Sequence, residues 1–225
     1  RNSPVNKDVI YLDFRAEVSA FDKIFHFSKE NLDERKNLLR QRSKYLKRLF
    51  NGEPMRFKGT QDNKVGNLEI LSENTVKCIG KILNKEYTDI RVAEHKLYRN
   101  MGTSVYMKNK YEMGYSEANA GSGEIAVVQL VRRIEKARDY SLVLLDEPEV
   151  SLHPGAQENL KEYLLEAIKT KKLQVVISTH SPTLIKGLPS SAIKLFKTNE
   201  YGKFYVQENI NYEEAFFDIE NRVSN

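Results

Sequence analysis

The fold of this 225-residue chain is decided by the stretch LVLLDEP at residues 142–148. Its four consecutive apolar residues are typical of a strand in a parallel sheet, buried on both faces. Two carboxylates follow where that strand should end, and ligands of open α/β sheets bind at the carboxyl ends of the strands. The stretch therefore predicts an α/β fold with a parallel-sheet core and an acidic site at one edge of the sheet.

The acidic pair, Asp146 and Glu147, suits phosphoryl transfer, which depends mainly on positioning and charge neutralisation. One carboxylate can hold Mg²⁺ through its water shell, and the second can orient or deprotonate an attacking water. The competing interpretation is a solvated acidic turn that follows a core strand. The pair alone does not separate these two interpretations.

A second apolar strand, over residues 175–177, is followed by the sequence STHSP, which places His180 at a strand end. Between the two strands Pro154 opens a helix that carries Leu160 and Leu164, so the order is strand, helix, strand. A histidine in this place can contact a γ-phosphate or the attacking water. A purely structural histidine is the alternative.

A glycine-rich loop precedes both strands. Gly121, Ser122, Gly123 and Glu124 stand at the start of an amphipathic helix. Glycines let a backbone approach a phosphate, and a helix N-terminus offers unpaired N–H groups to an anion. Such loops are also common helix caps, so the loop by itself is weak evidence for a nucleotide site.

The order of these motifs resembles that of ABC-type ATPases. Residues 118–124 resemble the signature loop, residues 142–148 the Walker B strand, residues 149–154 the D-loop, and His180 the switch histidine. The resemblance covers roughly residues 114–197. It implies an ABC-type lobe that binds ATP and Mg²⁺ and dimerises with ATP at the interface.

The resemblance also implies a role for each site residue. Glu147 would be the catalytic base, Asp146 the Mg²⁺ carboxylate and His180 the γ-phosphate sensor. The signature loop would bind the ATP of the opposite subunit, through Gly121, Ser122, Gly123 and Glu124.

The motif sequences are similar to those of the soluble bacterial branch of the superfamily and not to those of the transporters. The stretches EANAGSGE and NYEEAFFDIE look most like the OLD-family, retron-associated or Septu-type antiphage defence ATPases. In OLD-type proteins a Toprim endonuclease domain would follow. No acidic Toprim-like cluster is visible after Tyr212, so the chain itself is not expected to cut DNA.

Two features depart from the family pattern. The chain contains no Gly-x-x-x-x-Gly-Lys-Ser/Thr phosphate loop, so ATP lacks its usual cradle within these residues. The phosphate-loop lobe is therefore expected outside the given sequence, which begins at Arg1 without an initiator Met; a degenerate ATPase is the alternative. In addition, Gly121 stands where most signature loops have Ser, although the neighbouring Ser122 carries a hydroxyl.

These patterns divide the chain into three parts. The ATPase lobe is predicted over residues 1–20 and 114–206, a mainly helical, basic insertion over 21–113, and a tail over 207–225. The tail would lead to a nuclease domain.

The insertion begins with a strongly basic helix. Asn31 and Glu34 are placed like a capping box, and residues 29–58 hold ten Lys or Arg against four acidic residues. Pairs four apart, such as Lys36 with Arg40, repel each other, and an anionic partner would relieve that repulsion. The helix is therefore predicted to lie on nucleic acid or a nucleoprotein, with a merely solvated charged face as the alternative.

Composition sets few further limits. The net charge of +5 and the pI of about 9.0 permit a nucleic-acid partner without requiring one. Cys78 is the only cysteine, so no disulfide forms within the chain, as suits a cytoplasmic protein. No apolar run approaches the ~18 residues of a membrane span.

Two functions stay open at this point. The first is an ATPase module that controls a nuclease in antiviral defence or DNA processing. The second is a scaffold or sensor in which nucleotide binding only clamps subunits on a nucleoprotein, such as a retron RNA–DNA hybrid, or on a separate nuclease subunit.

Overall fold

The computed structural model describes residues 7–17, 19–54, 56–57, 60–61, 65–98 and 101–223. The strands in chain order are β1 (Val9–Asp13), β2 (Arg56–Phe57), β3 (Thr60–Gln61), β4 (Gly66–Ile70), β5 (Tyr87–His95), β6 (Gly102–Asn109), β7 (Gly114–Ser116), β8 (Leu142–Asp146), β9 (Gln174–Ser178), β10 (Lys194–Thr198) and β11 (Phe204–Glu208). The helices are α1 (Ala20–Phe25), α2 (Leu32–Phe50), α3 (Glu73–Leu83), α4 (Ser122–Lys136), α5 (Pro154–Lys171), α6 (Pro182–Ile185) and α7 (Tyr212–Val223), with a 3₁₀ turn at Ser190–Ala192.

A parallel sheet in the order β1-β8-β9 carries the predicted acidic strand at its centre. In its register Asp13 lies opposite Asp146, and Asp146 opposite Ser178. The three residues therefore form one polar row across the carboxyl ends of the strands. This confirms the α/β fold with a parallel-sheet core that the sequence predicts.

The two faces of this sheet differ in burial. Leu12, Val143 and Leu145 are almost fully buried on one face, whereas Tyr11 and Val176 on the other are 59% and 58% exposed. On β8 itself Val143 and Leu145 are buried and Leu142 and Leu144 are partly buried, so within the described residues the predicted burial on both faces is complete on one face only. The uncovered face is the one that carries the polar row, because Tyr11, Leu144 and Val176 each lie two residues before a member of that row, and residues two apart on a strand share a face.

A second, antiparallel sheet in the order β4-β5-β6-β7 lies on the other side of the core. Helix α4 is buried around its whole circumference over its first turns, which is typical of a helix in the centre of a fold. Its apolar residues share one core with α3, α5 and both sheets. The two sheets are therefore parts of a single packed unit.

The segment predicted as a helical insertion, residues 21–113, has a mixed structure. Helix α2 begins after Asn31, whose side chain accepts a hydrogen bond from the Glu34 N–H at 3.0 Å, as the capping pattern predicts. The same segment also supplies β4, β5 and β6. Ile90 and Val105 are fully buried in the main core, so this part of the chain does not project as a separate insertion.

The end of the chain forms a small unit of its own. Strands β10 and β11 pair as an antiparallel hairpin, and α7 follows them. Ile193, Ile210 and Ala215 form a separate apolar cluster there. Across the described residues, no helix combines the length and the apolar character that crossing a membrane requires.

Candidate functional site

The carboxyl ends of the parallel strands bring Asp13, Asp146 and Ser178 side by side. The Ser178 hydroxyl donates a hydrogen bond to Asp146 Oδ1. The bond lowers the pKa of Asp146, and the Arg15 guanidinium lowers it further against the opposing effect of desolvation. Asp146 is therefore ionised at neutral pH and lies beside a hydroxyl oxygen, a donor set that suits Mg²⁺.

Arg15 is a site residue that the sequence reasoning missed. Its Nη2 lies 2.9 Å from Asp146 Oδ2, and its Nη1 lies 3.5 Å from Glu147 Oε1. One guanidinium therefore holds both acidic side chains. The sequence offered one signal, the run Asp13-Phe14-Arg15 at the end of β1, which is similar to the acidic pair at the end of β8. The pairing of β1 with β8, however, is not visible in the sequence.

Glu147 directly follows β8 in an uncommon backbone conformation. Its φ of 45° lies in the left-handed region, which costs free energy for a residue with a side chain. The Glu147 N–H donates to the Ser178 carbonyl at 2.9 Å, so the end of β9 helps to hold this conformation. Strained residues of this kind cluster at functional sites, where the surrounding structure fixes them.

His180 reaches the same carboxylate from the end of β9. Its Nε2 lies 3.7 Å from Glu147 Oε1, and the ring is largely exposed. The His180 N–H donates to Glu149 Oε1 at 2.7 Å, while Glu149 Oε2 is buried with no hydrogen-bond partner among the described residues. The structure thus gathers Asp146, Glu147 and His180 at one edge of the sheet.

The glycine-rich loop lies against the segment that follows the acidic pair. A Cβ on Gly123 would stand 2.4 Å from the Ser151 carbonyl oxygen and 2.9 Å from Leu152 Cδ2. Only a glycine allows this approach of the two backbones. Gly121 caps α4 as its N-cap residue, and Ser122 is exposed at the first position of the helix.

The Glu124 side chain points away from solvent. Its Oε2 accepts a hydrogen bond from the Gly121 N–H at 2.8 Å, and its Oε1 accepts from donors of the antiparallel sheet region. Glu124 is 8% exposed. Contact between this side chain and a nucleotide stays a prediction, and the carboxylate already has a full set of partners within its own chain.

The predicted site residues therefore lie in two groups. Asp146, Glu147 and His180 form one, and residues 121–124 form the other. In the part of the chain that the structure describes, no hydrogen bond or ion pair joins the two groups directly. They are connected by the segment that resembles a D-loop (residues 149–154), which follows the acidic pair and passes Gly123 at Ser151 and Leu152.

This arrangement of motifs on an α/β core resembles that of ABC-type ATPases. Residues 6–186 match the family described as "AAA domain, putative AbiEii toxin, Type IV TA system", and the chain belongs to this family. The acidic strand, the glycine-rich loop and His180 all fall within the matched residues.

Two phage proteins resemble the chain over part of their length. Protein ea59 of Escherichia phage lambda is 28% identical over 146 residues, which cover 63% of this chain and 25% of that protein. Old nuclease of Escherichia phage P2 is 25% identical over 140 residues, which cover 50% of this chain and 23% of that protein. The chain thus spans about a quarter of the length of each relative.

Among solved structures, an SMC ATPase described in work on ATP-driven dimerization and DNA-stimulated activation superposes with a TM-score of 0.51. The match covers 68% of this chain and 91% of that one, at 16% sequence identity. At this identity the similarity shows the fold, which is that of an ABC-type ATPase head.

Proposed function

We propose that the chain is the catalytic part of an ATP-binding and ATP-hydrolysing module that controls a nuclease in bacterial antiphage defence or DNA processing. The observation that carries this proposal is the gathering of Asp146, Glu147 and His180 at the carboxyl ends of β8 and β9. A carboxylate that can hold Mg²⁺, a second carboxylate that can act as a base and a hydrogen-bond donor, all at one strand end, suit phosphoryl transfer.

The side chains have separable tasks in this proposal. Asp146 and Ser178 would hold Mg²⁺, which neutralises phosphate charge when bound. Glu147 orients the attacking water and accepts its proton, and its fixed backbone conformation directs the carboxylate. His180, exposed beside Glu147, donates a hydrogen bond toward the γ-phosphate.

The 225 residues contain no phosphate loop, and we propose that a lobe outside them supplies it. The uncovered face of the parallel sheet supports this step. Val9, Tyr11 and Val176 are more than half exposed on the face that carries the polar row. Apolar side chains at that density are normally covered, and we propose that the phosphate-loop lobe covers them.

The two separate groups of site residues favour a site shared between two copies. Within one chain, the signature loop (residues 118–124) is turned toward the D-loop and makes no direct bond to the acidic pair. In a dimer, the loop of one copy would complete the nucleotide site of the other. The solved SMC ATPase, which shares the fold and was studied for its ATP-driven dimerization, supports this arrangement.

The shared site predicts how ATP turnover depends on protein concentration. In the intact protein, the hydrolysis rate per molecule is expected to rise with concentration until the dimer saturates, since a lone copy has an incomplete site. Turnover is measured by phosphate release over a range of about 100-fold in concentration on either side of half-saturation. A rate per molecule that stays constant over this range contradicts the shared site.

Control of a nuclease is supported by the similarity to Old nuclease, of which the chain matches about a quarter. The nuclease would lie on the same protein or on a separate subunit. ATP binding or hydrolysis would then license cleavage. Measuring DNA cleavage by the intact protein with ATP, and with ATP withheld, tests this part of the proposal.

A second candidate function, a nucleotide-dependent clamp on a nucleoprotein, is favoured by the surface of α2. Arg35 and Arg42 are turned inward, toward the Phe25 carbonyl and the Phe57 ring, and Arg48 pairs with Glu53. Four other cations form an exposed row, here called the basic stripe: Lys36, Arg40, Lys44 and Lys47.

The basic stripe matches the charge density of a nucleic acid. Its members lie within twelve residues, and the first and last are about 16 Å apart along the helix axis. One strand of B-DNA carries a phosphate about every 3.4 Å along its axis, so about five phosphates lie alongside four cations. None of the four has an ion-pair partner among the described residues. A phosphate backbone would therefore supply the missing counter-charge.

Changing all four residues of the basic stripe to Glu is expected to weaken nucleic-acid binding and to flatten its salt dependence. Each lost phosphate contact lowers the magnitude of the log–log slope by about 0.9 on duplex DNA, so the loss of four contacts should lower it by about 3.6. ATP hydrolysis without nucleic acid should stay unchanged, since α2 lies outside the catalytic group. Binding is measured by fluorescence anisotropy at several salt concentrations.

A charge-matched control separates local contacts from net charge. It carries four Lys→Glu changes at exposed positions elsewhere: Lys169, Lys172, Lys186 and Lys203. If the control flattens the slope as much as the stripe variant does, α2 is only a solvated charged face.

A further inference from the structure

Glu124 has more hydrogen-bond partners than a helix cap requires. Its Oε2 accepts from the Gly121 N–H, which is the contact of an ordinary N3 carboxylate with the N-cap backbone. Its Oε1 accepts from three further groups, here called the donor trio: Lys85 Nζ at 2.9 Å, the Tyr87 hydroxyl at 2.5 Å and the Tyr115 hydroxyl at 2.9 Å. Capping does not explain the second oxygen.

The donor trio comes from one region of the fold, the antiparallel sheet. Lys85 and Tyr87 lie where α3 passes into β5, and Tyr115 lies in β7, on the other side of β6. Side chains from two strands of the same sheet, separated by β6, therefore converge on one oxygen. The other oxygen holds the backbone of the signature loop, so the carboxylate bridges the sheet and the loop.

The electrostatics keep the bridge intact at neutral pH. Burial acts to raise the pKa of Glu124, but the hydrogen bonds that it accepts lower it overall, so the group stays a carboxylate. Burial and the neighbouring carboxylate raise the pKa of Tyr87, and burial above all raises that of Tyr115 to about 12. Both hydroxyls therefore stay protonated and donate.

We propose that the donor trio fixes the position of the signature loop through Glu124. The inference rests on the proposed function, in which that loop completes the nucleotide site of a second copy. The trio does not touch the nucleotide; its members are positioning residues. The antiparallel sheet thereby determines how well two copies close on ATP, while nucleotide binding by one copy does not depend on it.

The test removes two hydroxyls and keeps both rings, in the double variant Tyr87→Phe/Tyr115→Phe of the intact protein. Amide hydrogen exchange at residues 121–124 without nucleotide is expected to become at least about 10-fold faster, because the loop loses its anchor. The same amides in a control, Tyr201→Phe/Tyr205→Phe on the exposed hairpin, should exchange at the parent rate.

The second readout is ATP-driven dimerisation. In a hydrolysis-deficient background, the double variant is expected to dimerise at least about 10-fold more weakly, with ATP affinity of the single copy changed by no more than about 2-fold. Lys85→Met should act in the same direction, and Lys85→Arg should restore dimerisation because it keeps a cationic donor. If the donor trio had only a structural role, these variants would lower stability without weakening dimerisation more than ATP binding.

The outcomes separate the two proposals. If loop exchange is unchanged in the double variant, the bridge does not position the loop and the inference is overturned. If exchange rises while dimerisation stays at the parent level, the inference is also overturned, since the loop position then has no effect on closure. If the parent itself does not dimerise with ATP, the shared site of the proposed function fails, and loop exchange alone decides the positioning claim.

Discussion

Replacing Glu147 by Gln in the intact protein is expected to lower ATP turnover at least about 100-fold, the usual contribution of a general base. The amide keeps the size and the hydrogen-bonding capacity of the side chain but cannot accept a proton. ATP binding should change by no more than about 2-fold, because the groups proposed to hold Mg²⁺, Asp146 and Ser178, are untouched. Turnover is measured by phosphate release and binding by calorimetry.

A matched control for this variant is Glu158→Gln. Glu158 is exposed and pairs with Lys161 at 2.8 Å on α5, so the change removes the same charge away from the site. The control should hydrolyse ATP at the parent rate. Turnover in Glu147→Gln that stays within about 3-fold of the parent would show that this carboxylate is not the base.

Replacing Gly123 by Ala is expected to have the second large effect. The added methyl would stand 2.4 Å from the Ser151 carbonyl, and backbone atoms on both sides would have to move. Overpacking of this kind costs about 1–3 kcal/mol of stability. The same shift displaces the signature loop from the D-loop, so ATP turnover should fall at least about 10-fold, by the sensitivity of catalysis to small misplacements.

Gly155→Ala is the control for backbone effects. Gly155 lies in the first turn of α5, and a Cβ there would meet only His153 Nδ1 at 3.6 Å. Because Ala is favoured over Gly in a helix by about 0.5–1 kcal/mol, this variant should be as stable as the parent or more so. Chemical denaturation measures both variants. Equal stability of Gly123→Ala and the parent would contradict the close approach.

Local sequence signals predicted the elements that position the site. Apolar runs identified β8 and β9, Pro154 and its following leucines identified α5, and Asn31 identified the start of α2. These signals succeed because each depends on residues that are close together in the chain: a run of apolar residues, a proline in the first turn of a helix, or a side chain that caps a helix. The gathering of Asp146 with His180 followed from a general property of parallel strands, whose ends meet at one edge.

The antiparallel sheet escaped prediction because its pattern is mixed. Strand β5 alternates buried Ile90 and Val92 with Asp89 and Arg91, which form an ion pair at 2.6 Å on the side facing α2. When polar residues are partly covered, the two faces of a strand no longer differ clearly in hydrophobicity, and the alternating pattern that indicates a strand is weakened. Which strands pair is also a long-range property, and no local signal encodes it.

Arg15 and the bridge through Glu124 were missed for the same reason. Arg15 is separated from Asp146 by 131 positions in the chain, and Lys85 from Glu124 by 39. Both contacts depend on registers and packing that only the folded chain shows. The sequence indicated the type of each residue but not its partner.

The central claim is that two copies of this chain enclose ATP between the acidic pair of one and the signature loop of the other. The most direct measurement is the mass of the intact Glu147→Gln protein by light scattering, with ATP and Mg²⁺ present or withheld. The mass is expected to double with ATP. Adding Ser122→Glu should prevent it, because a carboxylate there repels the phosphates yet suits a helix N-terminus, so the fold is kept. An unchanged mass with ATP, or equal dimerisation of the Ser122→Glu variant, would contradict the shared site.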